Sequence, residues 1–182
     1  ANYTADQKEV TVAVGKIEHS LVVDKISYRV TYGDPAFKIT AKAGDTESDI
    51  RFASDNKEVA TVSKDGTVNI GNTGTAKITV SMDESQNYLA VSREVTVTVV
   101  PKEISAKIAP NGGIYGEIIV PAVAALDGLV GKDNPEITLT YTGRANDGTE
   151  VNGTEAPSLA GIYTVTAAIT DSNYSLKEDG SS

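Results

Sequence analysis

One histidine, His19, and 25 carboxylates are the groups through which this 182-residue chain would do acid–base or metal chemistry, and it has no cysteine. A lone imidazole rules out a multi-histidine metal centre. The absence of thiols rules out a disulfide framework, a Cys-ligated zinc and a thiol nucleophile. His19 has no Ser–Asp context and no nucleophile-elbow pattern occurs, so a catalytic triad has no parts to assemble. His19 is expected at the surface or on an edge strand. Asp45, Glu47 and Asp49 alternate through the stretch GDTESD, and alternating carboxylates can ring a calcium ion. The stretch lacks the glycine and the closing glutamate of an EF-hand loop. It reads as a solvated acidic loop: no metal site is expected, and Asp45, Glu47 and Asp49 are the residues that would form one. Among so many acids, carboxylate pairs of glycosidase type are inevitable. With 5% aromatic residues and no Trp, however, a sugar cleft would be poorly furnished. No catalytic residue and no cofactor are expected.

The charge balance narrows the partners. With 16 basic and 25 acidic residues the net charge is −9, which repels nucleic acid and anionic lipid. No apolar run reaches membrane-spanning length, so membrane insertion is not expected. The chain opens at Ala-Asn-Tyr with neither a Met nor a signal peptide, and reads as a piece of a longer one.

The scaffold for these residues is built from β-branched side chains. Val and Thr each number 20 and Ile 14, against 7 Leu and 1 Met, a composition that suits pleated strands and starves helical cores. The class is all-β. Period-2 alternation at Val10, Val12, Val14 and at Val95, Val97, Val99 marks strands over 8–14 and 95–100. Between them strands are expected near 26–32, 36–42, 50–53, 59–63, 67–70 and 75–82, and beyond them near 103–108, 115–125, 136–142, 149–152 and 161–170. Lys64-Asp65-Gly66, between two such runs, is a hairpin signal.

Landmarks recur at one period. Asn2-Tyr3, Asn87-Tyr88 and Asn173-Tyr174 are spaced by 85 and 86 residues, and Tyr32-Gly33 returns as Tyr115-Gly116. Residues 2–14, NYTADQKEVTVAV, are echoed by residues 87–99, NYLAVSREVTVTV. Order and spacing together mean duplicated modules. The expected division is the last strand of a preceding repeat over 1–15, a first module over 16–101 and a second over 102–182, truncated before its last strand. A module lacking that strand exposes an edge, so strand 8–14 of one molecule is a candidate to complete another; the plainer expectation is a monomer. The Asn-Tyr pairs are read as a turn Asn with a Tyr packing the sandwich edge, and Tyr163 as a tyrosine that bonds back to upstream backbone. Val100-Pro101-Lys102 leaves little slack, which favours a semi-rigid end-to-end pair reaching about 70–80 Å.

Residues 54–80, SDNKEVATVSKDGTVNIGNTGTAKITV, resemble bacterial Ig-like domains of group 2 type. Residues 30–39 and the Asn-Tyr endings resemble the MBG-type repeats of bacterial surface proteins, as do Ile114-Tyr115-Gly116 and residues 156–174 in the second half. That half lacks the V-A-T-V stretch. The resemblance implies tandem immunoglobulin-like sandwiches in an extracellular, cell-surface bacterial protein, serving as stalk, spacer or adhesive repeat. The alternatives are a module that binds a host or cell-surface protein, a matrix protein or a glycan directly, and an accessory domain of a secreted carbohydrate-active enzyme. Loops 44–49, 54–57, 127–135 and 144–153 carry no aromatic anchor, which favours the spacer. Thr154-Glu155-Ala156-Pro157 ahead of Tyr163 partly matches the motif of pilin-type modules with Lys–Asn isopeptide bonds, but its leading aromatic-x-Leu is missing.

Overall fold

Alternating β-branched residues separated by Gly, Pro and Asx turns give seventeen strands and no helix among the described residues of a computed structural model, which are 8–45, 47–108, 114 and 123–177. In chain order the first eleven are β1 Ile17–Glu18, β2 Leu21–Val23, β3 Ser27–Thr31, β4 Phe37–Lys38, β5 Ala41–Ala43, β6 Ile50–Ser54, β7 Ala60–Val62, β8 Thr67–Ile70, β9 Gly74–Met82, β10 Tyr88–Leu89 and β11 Val91–Val100. The remaining six are β12 Lys102–Ile108, β13 Val123–Asp127, β14 Ile137–Ala145, β15 Glu150–Gly153, β16 Gly161–Ile169 and β17 Tyr174–Leu176. Every ladder stays within β1–β11 or within β12–β17, which we call the N-terminal and C-terminal units.

The N-terminal unit is a two-layer sandwich. One layer is β3-β11-β9-β6; against it lie β4-β8-β7 and the short pairs β2-β5 and β1-β10. Ala76, Ile78, Val80 and Met82 of β9 and Val95, Val97 and Val99 of β11 alternate onto one face and are buried. They meet Leu21, Ile39, Val59, Ala60 and Val68 from the other side. Polar neighbours such as Lys77 and Glu94 stay on the wet face and pair across it at 3.2 Å. The expected strand over 36–42 is split at Ile39-Thr40. There the chain leaves β8, which pairs with β4, and joins β2, which pairs with β5. Ile39 is fully buried at this crossover and its N–H donates to Gly66 O.

The Lys64-Asp65-Gly66 hairpin forms, with Val62 opposite Val68. Its geometry is not the mirror-image two-residue turn that Asp-Gly often makes. Gly66 N donates to Ser63 O and only Gly66 has positive φ (+85°), giving an ordinary turn closed by a left-handed glycine.

In the C-terminal unit β13-β12-β17 and β15-β14-β16 form two three-stranded sheets. The candidate strand 115–125 falls mostly outside the described residues, as does Asn2-Tyr3. Two expectations are corrected. Residues 8–16 form no ladder, and Val10, Val12 and Val14 stand 78%, 79% and 92% exposed. Alternation supplies a face but a strand also needs a neighbouring backbone, and among the described residues none pairs with this segment. His19 is not a surface residue: it is 3% exposed, for the reason given below.

Candidate functional site at the junction of the units

A single residue, Pro101, separates β11 from β12. The strand ends on both sides of it are tied down. Tyr32 N donates to Val100 O at 2.9 Å, and Lys102 N donates to Asn173 O at 2.9 Å. Two turns of the N-terminal unit therefore face two loops of the C-terminal unit. The first is the turn after β3, held by Asp34 N to Thr31 O and by Thr31 N to the Asp34 carboxylate. It presents Tyr32 and Gly33. The second is the turn between β8 and β9, anchored by Gly71 N to Val59 O and Asn72 N to Glu58 O, and it presents Asn72 and Thr73.

Tyr32 and Tyr174 converge on one carboxylate oxygen. Tyr32 Oη donates to Asp133 Oδ2 at 2.8 Å and Tyr174 Oη donates to the same atom at 2.6 Å. Tyr174 Oη in turn accepts from Val130 N at 3.0 Å, and the two rings meet edge-on with centroids 5.4 Å apart. The hydrogen bond to Asp133, with some burial, pushes the Tyr32 phenol up to about 12. Burial, then Asp133, raises Tyr174 as well. The two phenols hold Asp133 below the usual carboxylate range. A second set of contacts surrounds Asn173. Thr73 N donates to Asn173 Oδ1 at 2.8 Å, Thr73 Oγ1 donates to Ser172 O at 3.0 Å, and Asn173 Nδ2 donates to Asn72 Oδ1 at 3.2 Å. Asp171 shapes the receiving turn by accepting from Asn173 N at 2.9 Å. Gly33 seals the contact. Its φ is +83°, and a Cβ there would sit 2.4 Å from Val130 Cγ2. Both backbone conformation and close approach require glycine at this point.

Four side-chain-mediated hydrogen bonds thus cross the junction, at about 1 kcal/mol each. They act across a one-residue linker whose φ is fixed by proline.

The residues singled out from the sequence lie elsewhere and do different work. Asp45 and Glu47 point to different partners. Both Asp45 oxygens are 2.9 Å from His19 Nδ1. Glu47 accepts from Ser85 Oγ at 2.8 Å and from Asn87 Nδ2 at 2.7 Å, and these bonds keep its carboxyl below the usual range. Asp49 is exposed. Among the described residues no group of three His, Asp or Glu side chains is placed to hold a metal ion. His19 Nε2 faces Asp83 O at 3.0 Å, so both ring nitrogens face acceptors, and the ring stacks on Tyr88 with centroids 4.7 Å apart. By ladder register His19 occupies the position that Ile104 holds in the C-terminal unit: Ile17 faces Tyr88 as Lys102 faces Tyr174. Ile104 is likewise buried, at 1% exposure. That is why a polar residue without sequence context went inside. Tyr163 bonds back as expected, Oη to Leu159 O at 2.8 Å. Glu155 is exposed, so it offers no buried carboxylate for an isopeptide bond.

Asp133, Asn72 and Thr73 were not identified from the sequence, because single polar residues in turns carry no periodic signal. Tyr32, Gly33, Asn173 and Tyr174 were visible as repeat landmarks, and the repeat was the available pointer to the junction.

In a comparison with known families, residues 35–91 match the model of the bacterial Ig-like domain (group 2). The matched stretch runs from β4 into β11 and includes the V-A-T-V and G-T-A-K-I-T-V segments. The fold is accordingly all-β and Ig-like. Domains of this group are non-catalytic and occur in bacterial extracellular and surface proteins. A search of curated proteins finds no match to the chain.

Proposed function

We propose that this chain is a non-catalytic spacer in a bacterial surface protein, two copies of one Ig-like module set end to end and held in a fixed relation. Its action is geometric: it keeps whatever it carries at a set distance and direction from the cell. The junction supports this reading. A flexible tether would need only a polar linker, whereas this chain commits Tyr32, Gly33, Asn72 and Thr73 to a docking surface for Asp133, Asn173 and Tyr174. The loops of the described residues add no aromatic cluster of the kind that anchors a glycan or a partner protein.

The test is rotational diffusion of the two units by amide relaxation. In the native chain both units should share one correlation time. Gly33→Val, which places a branched side chain against Val130 at a left-handed φ, should release them to tumble separately while each keeps its own strand signals. Independent tumbling in the native chain would end the fixed-spacer reading.

A further inference from the structure

The first and last segments of the N-terminal unit lie side by side and run the same way. β1 pairs with β10 in parallel, Ile17 facing Tyr88 and Glu18 facing Leu89. β3 pairs with β11 in parallel, Ser27–Thr31 against Thr96–Val100. Among the described residues every other ladder of this unit is antiparallel. A pull on the chain from both sides of the unit draws β3 toward its own start and β11 toward its own end. For parallel strands those directions are opposed along one axis, so the pair is sheared and every bond of the ladder is loaded at once. Strands drawn apart at one end would lose their bonds one after another.

This ladder is built to resist sliding. Thr96 N donates to Ile26 O at 2.9 Å and Tyr32 N donates to Val100 O at 2.9 Å, closing the run at its two ends. Between them, parallel alternation turns the N–H groups of Tyr28 and Val30 onto β11 and those of Arg29 and Thr31 away. Thr31 N accordingly donates to the Asp34 carboxylate. Tyr28 and Val30 also pack on the core beside their register partners Val97 and Val99. A slip of one residue would turn both onto the wet face, so sliding has no neighbouring register in which to rest. Tension reaches the ladder without slack. Pro101 follows β11 directly, and Lys102 N on its far side is tied to Asn173 O at 2.9 Å. β12, which begins there, is again parallel to its partner β17.

We propose that the N-terminal unit is a tension-bearing element, with β3 and β11 forming a clamp that any pull along the chain loads in shear. The unit stays folded while whatever the chain carries is dragged away from whatever holds it. This role rests on the spacer reading, which supplies the load, and adds that the spacer works under tension and not only as a strut.

The chain has no cysteine, so a pair of introduced cysteines defines where a force is applied. In optical tweezers the whole chain is pulled through Gly15→Cys/Glu103→Cys, which loads the unit along the chain. It is pulled separately through Lys25→Cys/Arg93→Cys, which opens the same ladder from its Ser27–Thr96 end. All four positions are exposed, so the fold is the same under both pulls. Forced unfolding is governed by the unfolding rate, and at one loading rate the rupture force should be about twofold or more higher along the chain than across the ladder. The along-chain event should also release the unit in a single step. Equal forces for the two cysteine pairs overturn the proposal. So does a low-force stage that frees β1 to β3 before the rest unfolds. Amide relaxation scores the junction separately. Shared tumbling with equal forces leaves the spacer reading standing and removes the clamp, while independent tumbling with unequal forces keeps the clamp and removes the fixed spacer.

Discussion

The turns at Asn87-Tyr88 and Asn173-Tyr174 carry the same two residues and do the same thing with their backbone. Each asparagine carbonyl accepts from the incoming strand, from Ile17 N at 3.1 Å in one unit and from Lys102 N at 2.9 Å in the other. Each tyrosine then pairs in parallel with that strand. The side chains diverge. Asn87 turns inward to Glu47 and Tyr88 stacks on His19, so the N-terminal turn is satisfied within its own unit. Asn173 reaches across to Asn72 and Thr73, and Tyr174 shares Asp133 with Tyr32. The dipeptide is therefore a backbone device, and its side chains take the partners that the neighbouring loops provide. In one unit those partners are internal; in the other Asn173 takes its partners from the unit ahead, and Tyr174 binds a carboxylate of its own unit that Tyr32 of the unit ahead also holds.

The largest way to break this comparison is at His19. His19→Ala removes the ring under Tyr88 and leaves the nearly buried Asp45 carboxylate without its hydrogen-bond partner. The N-terminal unit should lose about 3 kcal/mol in urea unfolding, with the C-terminal unit unchanged. The tyrosine hydroxyls come next. Tyr174→Phe deletes the donor to Asp133 and the acceptor for Val130 N, and should cost about 2 kcal/mol. Tyr88 acts through its ring, so Tyr88→Phe should stay within about 0.5 kcal/mol in the same assay. Equal losses from the two would mean that the turns are not different after all.

The smallest effect expected is that of pH on the junction. The Tyr32 phenol is raised in the folded state, to about 12 from an ordinary value of 10.0. Its contribution is complete below the ordinary value and is lost as pH climbs through the folded one. Asp133 is lowered from 3.8, so its contribution is present above that value and lost as acid carries pH below its folded value. Amide relaxation should thus show shared tumbling unchanged between about pH 5 and pH 9, and a loosening at either extreme. Loosening near neutrality would assign the junction to other groups.

Strands with strong alternation were legible in advance: β8, β9, β11 and β14 lie within a few residues of where Val, Ile and Thr spacing puts them. The short pairs β1-β10 and β12-β17 were not seen in full, because two- and three-residue parallel contacts leave no period to read. His19 was misplaced for a related reason. Histidine is polar by type, and nothing local reveals that its register position is one that takes isoleucine in the other unit. The segment over 8–14 differs in the opposite direction, since a strand pattern makes a ladder only against a partner backbone, and among the described residues it pairs with none.

By itself, then, the sequence determined the all-β class, most strand positions and the hairpin at Gly66. These depend on side-chain type and near-neighbour spacing, which a single chain displays in full. Tertiary structure alone decided that Asp45 meets His19, and that one Asn-Tyr turn looks inward while the other latches two units. It also decided that Asp133 serves two tyrosines 101 and 41 residues away. Contacts over such separations are set by which turns the folded sheets bring face to face, and no local pattern encodes that.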